Sequence, residues 1–69
     1  MIEYRLSEEF IELFKLIKLL DLVDSGAQAK QIVELGHVIR NGEVELRKRA
    51  KIVAGDRLEI GDVVIEVVS

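Results

Sequence analysis

The sequence predicts an α+β domain in which two short helices pack together against a small antiparallel sheet of about four to five strands, in the order β-α-α-β-β-β-β. Three observations predict it. Residues 10–20 and 29–33 carry apolar side chains at helical spacing. The stretches outside them alternate apolar with polar residues. Asn41-Gly42, Gly55-Asp56 and Gly61-Asp62 punctuate the C-terminal half as turns.

Taken in order, Ile2, Tyr4 and Leu6 alternate with Glu3 and Arg5, the pattern of a short half-buried strand. Ser7 reads as the N-cap of the first helix, with Glu8 and Glu9 favourably placed at the positive end of its dipole. Phe10, Leu13, Phe14, Ile17 and Leu20 then form one buried stripe, while Glu8, Glu12, Lys15 and Lys18 fall mostly on the other side. Ile11 and Leu19 lie off the stripe, where the N-terminal strand is one candidate cover. Asp24-Ser25-Gly26 breaks this helix and starts the next, and Ser25 with Gln28 has capping-box spacing. Ala29, Ile32 and Val33 form the buried side of the second helix, and Gly36 is its expected left-handed stop. Lys30 projects from the flank of that face.

The strongest local signal follows. Asn41-Gly42 between Val38-Ile39-Arg40 and Glu43-Val44-Glu45-Leu46 reads as a type I′ hairpin, which needs positive φ at both central residues. Gly55-Asp56 makes a turn, Leu58 and Ile60 alternate with polar neighbours, and Gly61-Asp62 suits a type II′ turn before the closing strand Val63–Val68.

Charge singles out the middle of the chain. Residues 40–51 carry five basic and two acidic side chains, a local net of +3, whereas residues 1–39 and 52–69 each sum to −3. A basic excess confined to one stretch of an acidic chain points to a local polyanion site. Basic residues in series point to alternate sides, so two or three of Arg47, Lys48, Arg49 and Lys51 are expected to share one surface.

Sixty-nine residues fit a single domain spanning 1–69, small enough to bury only about 60% of its unfolded surface. With no cysteine and one histidine, neither a disulfide staple nor a thiolate or histidine zinc site is expected. No cofactor is anticipated. No apolar run reaches the roughly 18 residues of a membrane span, and no signal-peptide pattern opens the chain, so a soluble cytoplasmic domain is expected. His37, just past Gly36, has no partner nucleophile in view and reads as a helix-end or surface histidine. The aromatics are Tyr4, Phe10 and Phe14, and with both phenylalanines on the buried stripe no base-stacking platform is expected.

From Ser25 to Asp56 the sequence resembles the alpha-L RNA-binding domain, the type named after small-subunit ribosomal protein S-four. The family pattern appears as Ser25-Gly26-Ala27-Gln28-Ala29, Gly36-His37-Val38-Ile39-Arg40-Asn41-Gly42, Arg47-Lys48-Arg49-Ala50-Lys51 and Gly55-Asp56. The likeness covers about half the chain by motif and nearly all of it by element order. It is nearest to the free-standing, single-domain bacterial members. Two positions depart from the pattern. The usual arginine after the serine is Gly26, with Lys30 one turn later as a substitute, and the second hairpin valine is Arg40. In the wider family this domain often accompanies a pseudouridine synthase or tyrosyl-tRNA synthetase domain, and none fits here.

The resemblance implies a protein without catalytic activity that binds structured RNA, ribosomal or tRNA-like, by phosphate and shape contacts. The implied contacts are Arg47, Lys48, Arg49 and Lys51, with Lys30. Arg40 is open both to RNA and to a cross-strand ion pair with Glu43. Ser25 is open both to plain capping and to offering a helix N-terminus to a phosphate. No DNA specificity, no membrane and a monomer are expected. The competing reading is a protein-interaction module of the translation machinery, docking through Ile11 and Leu19. A sulfur carrier would need a terminal Gly-Gly, whereas the sequence closes on Val67-Val68-Ser69.

Overall fold

Eleven buried apolar side chains, drawn from both helices and most of the strands, meet in one core. The computed structural model describes residues 1–69. Its elements are β1 (Ile2–Arg5), β2 (Ile11–Glu12), α1 (Leu13–Leu19), α2 (Gly26–Glu34), β3 (Val38–Arg40), β4 (Glu43–Val44), β5 (Lys51–Ile52), β6 (Arg57–Ile60) and β7 (Val63–Val68). Five strands form one sheet in the order β1-β7-β6-β3-β4, and β2 pairs with β5 in a separate ribbon. The α+β class and the two helices stand as the sequence predicts.

The sheet is mixed, not antiparallel. β1 runs parallel to β7, with Ile2 opposite Ile65 and Tyr4 opposite Val67. Alternation marks a strand but carries no direction. Parallel neighbours need a long crossover, and here the helices and the other strands supply it. The Leu6 N–H extends the pairing to the Val68 carbonyl at 2.8 Å.

The first helix begins later than its local signals suggest. Residues 7–9 bend, and Ile11 and Glu12 then extend to pair with Ile52 and Lys51. Ser7 therefore caps nothing. The N–H groups of Leu13 and Phe14 donate to the carbonyls of Ala50 (2.9 Å) and Lys48 (3.0 Å), so the basic loop does the capping from a distance in sequence. Leu13, Leu16 and Ile17 are fully buried. Phe10 lies outside the helix and is 40% exposed, against the expectation of a buried ring. Strand pairing, not β1, half-covers Ile11, and Leu19 stays exposed.

α1 ends at a left-handed Asp21 (φ 59°), whose N–H reaches Lys18 O while Leu22 N–H reaches Ile17 O. The break therefore precedes Asp24. At α2, Ser25 Oγ accepts from Gln28 N–H at 3.2 Å, and Gln28 Oε1 accepts from Asp24 N–H at 2.8 Å, one residue earlier than a capping box requires. Gly36 (φ 82°) stops α2 as expected, with Gly36 N–H on Val33 O and His37 N–H on Ile32 O. Asn41 (φ 52°) and Gly42 (φ 87°) form the two-residue turn that sets Arg40 opposite Glu43.

Candidate nucleic-acid interface

The Asn41-Gly42 hairpin and the Gly55-Asp56 turn are tied by one carboxylate. Asp56 accepts from Val53 N–H at 2.8 Å, Asn41 Nδ2 at 2.8 Å and Arg40 Nη2 at 2.9 Å. Asn41 in turn accepts from Arg57 N–H through Oδ1 at 2.8 Å. Burial pushes the Asp56 carboxyl upward, but its bonds from Val53, Asn41 and Arg40 outweigh this, and its pKa lies below the ordinary value.

Arg40 extends the network. Its guanidinium also reaches Glu45 Oε1 at 3.2 Å and the Lys51 carbonyl at 2.8 Å. Although Arg40 stands opposite Glu43 in register, its ion pairs go to Glu45 and Asp56. Glu45 is gripped from the other side by Arg47, with Nε on Oε2 at 3.0 Å, Nη2 on Oε1 at 3.0 Å and the backbone N–H on Oε2 at 3.1 Å. The Arg47 guanidinium holds the Glu45 carboxyl down at about 2 against the upward effect of burial, and Glu45 raises the Arg47 pKa in return.

On the outside of this frame, Arg40, Arg47, Arg49, Ala50 and Lys51 line one depression of ≈ 510 Å³ whose walls include no acidic residue. Residues 47, 49 and 51 share this side, while Lys48 turns away to Glu34 of α2 at 3.6 Å. A turn, with Ala50 N–H on Arg47 O at 3.1 Å, produces this division, not an extended strand.

Phe14 links the depression to the helices. Lys30 Nζ lies 4.7 Å from its ring centroid, Arg49 Cζ 5.1 Å and Lys15 Nζ 5.9 Å. Lys30 and Arg49 thus share the Phe14 ring. Glu12 bridges Lys15 (3.2 Å) and Arg49 (3.4 Å), and the Lys15 hydrogen bond leads in lowering its pKa. Lys30 and Lys51 enter no ion pair, but Lys51 sits over the Phe10 ring at 5.1 Å. Ser25 is spent on its cap, about 7 Å along the helix axis from Lys30.

The predicted residues thus divide into a shared depression (Arg40, Arg47, Arg49, Lys51), an adjoining lysine (Lys30), and two set apart (Lys48, Ser25). Sequence reasoning missed Phe14 and Lys15 as organisers of the cluster, and Glu45 and Asp56 as its frame. For Asp56 the turn was legible in Gly55-Asp56, but its partners Arg40 and Asn41 lie at the other turn, and no spacing joins the two. For Phe14 there was none.

A family model described as S4 domain matches residues 4–68. The chain is 44% identical over 59 residues to an Escherichia coli K12 protein named "Putative RNA-binding protein YbcJ", covering 86% of this chain and 84% of that one. It matches to the same extent a Shigella flexneri protein named "Uncharacterized protein YbcJ". The solution structure of E. coli YbcJ, described as revealing an alfaL motif involved in RNA-binding, superimposes with a TM-score of 0.76 at 40% identity. That alignment covers 100% of this chain and 89% of YbcJ.

Proposed function

The chain belongs to the S4 domain family, and from that premise we propose that it binds structured RNA, ribosomal or tRNA-like, through the depression of Arg40, Arg47, Arg49 and Lys51, with Lys30 adjoining. Residues 1–69 act as one non-catalytic, monomeric domain of the cytoplasmic translation machinery. The observation that carries this reading is a four-cation depression without an acidic wall, on a chain of net charge −3. Such a surface attracts phosphate, and the acidic remainder orients the RNA by repelling it elsewhere. The RNA-binding descriptions of YbcJ and its motif support the same assignment. Recognition by phosphate and shape gives no basis for DNA sequence readout. No helix is long and apolar enough to cross a membrane.

The test is a triple variant, Lys30→Ala, Arg49→Ala and Lys51→Ala, assayed by fluorescence anisotropy on a labelled RNA stem-loop. Affinity should largely vanish while the circular dichroism spectrum persists, since exposed charges add little to stability. Lys18→Ala is the matched control. Lys15 is unsuitable, because it shares the Phe14 ring with Lys30. For the unaltered protein, with about three phosphate contacts, a fourfold rise in salt should weaken binding roughly 20- to 40-fold. Equal losses per charge removed in the triple and control variants would refute a localised site.

One observation favours protein docking as a second reading. Leu35, Val44 and Leu46 are exposed, and Val44 and Leu46 both lie beside Gly36. Binding on that surface would be nearly insensitive to salt.

A further inference from the structure

Phe10 is the one aromatic side chain that takes no part in the core. Tyr4 and Phe14 both pack against it, whereas Phe10 stands 40% exposed on the segment leading into β2. Its ring is held only by the Lys51 ammonium, 5.1 Å from the centroid, and is otherwise open to a ligand. The ring borders a groove of ≈ 420 Å³ that also takes in Glu8, Ile11, Glu12, Lys15 and Lys51. That volume is within the range of clefts holding small ligand groups. Lys51 lines both this groove and the four-cation depression. A strand seated in the depression therefore reaches Phe10 past Lys51, the one residue that lines both.

We propose that Phe10 is a stacking platform for one unpaired base of the bound RNA, with Lys51 on the adjoining phosphate. The inference deepens the RNA-binding reading and rests on it. Every base has a π-face, so an exposed phenyl ring beside a lysine accepts a splayed base without needing hydrogen bonds. Phe14 is not available for this role, because three cations already crowd its ring, the nearest at 4.7 Å. At Phe10 only Lys51 lies over the ring. An incoming base moves that ammonium aside toward its own phosphate. Glu8 and Glu12 both line the groove and repel phosphate, and Glu12 holds Lys15 at 3.2 Å, so the backbone passes on the Lys51 side.

The chain contains no tryptophan, so Phe10→Trp introduces a lone indole at the site. The probes are an RNA stem-loop with unpaired loop bases and a blunt duplex of the same stem. The stem-loop should quench the indole and the duplex should not. Phe10→Leu should weaken stem-loop binding roughly 5- to 150-fold, the range for losing one stacked base, and leave duplex binding unchanged. Unquenched indole in a bound stem-loop complex, or stem-loop affinity unchanged by Phe10→Leu, overturns the platform while the basic site stands. Failure of the unaltered protein to bind either RNA overturns both readings. If Phe10→Leu failed to fold, the indole response alone would decide.

Discussion

Replacing Asp56 by alanine should cost about 3–5 kcal/mol, whereas Asp62→Ala, in the other Gly-Asp turn, should cost under about 0.5 kcal/mol. The two dipeptides look alike in sequence and differ in what they hold. The Asp56 side chain is 8% exposed and accepts three hydrogen bonds, from Val53 N–H, Asn41 and Arg40. Its removal takes from the Val53 N–H and the Asn41 amide a hydrogen bond to a charged group, worth about 1.5–3 kcal/mol each, part of which water returns because both residues are exposed. Arg40 keeps Glu45 and the Lys51 carbonyl, so its charge is not wholly uncompensated, which caps the total. Asp62 is exposed. A domain of this length has a total stability of about 3–10 kcal/mol, so Asp56→Ala removes a large share of it. Urea unfolding at pH 7, followed by far-ultraviolet circular dichroism, measures the difference. Equal midpoints for the two variants would show that the Asp56 network contributes nothing to holding the hairpin on the sheet.

Two further outcomes follow from the same geometry. Glu45, near 2, and Asp56, also lowered, have folded pKa values below those of the unfolded chain, so their contribution is present above about pH 4.5 and is lost as pH falls toward 2. The urea midpoint should decline over that window, and Glu45→Gln should flatten the decline; an unchanged slope would remove Glu45 from the account. Gly42→Val should lower stability by about 1–3 kcal/mol and Gly42→Asn by less, because a Cβ there meets nothing within 4 Å and only the positive φ of 87° resists it. Equal melting temperatures for these two variants would mean that the turn does not hold its left-handed form.

What the sequence made legible was local. The Ser25 cap, the Gly36 stop and the Asn41-Gly42 turn each depend on residues within a few positions of one another. Ser7 misled because a sound local cap lost to a distant one, the carbonyls of Lys48 and Ala50, which no helix rule anticipates. The same shift put Phe10 before the helix, although its spacing to Leu13 fits the stripe. Charge counting located the basic segment. It could not say that Glu45, Glu34 and Glu12 would pair with Arg47, Lys48 and Arg49. A net charge is a property of sequence, whereas a free cation is a property of packing.

That pairing decides how the proposed interface works. Exposed ion pairs such as Lys48–Glu34 and Arg49–Glu12 are worth about 0–1 kcal/mol, so a phosphate can replace either glutamate at little cost. Arg40 is different. Its side chain is 20% exposed and fixed to two carboxylates and a carbonyl, and releasing it would leave Glu45 and Asp56 buried without that charge. Arg40 therefore stays as part of the frame. It joins Glu45 at one end of the basic segment to the Lys51 carbonyl at the other, across the turn that carries Arg47 and Arg49. The cations of the proposed interface are thus attached to a backbone already fixed. Less conformational entropy is lost on association than a flexible basic loop would lose. The acidic residues within the segment reduce its raw charge, and what they give in return is a fixed shape for the charge that remains.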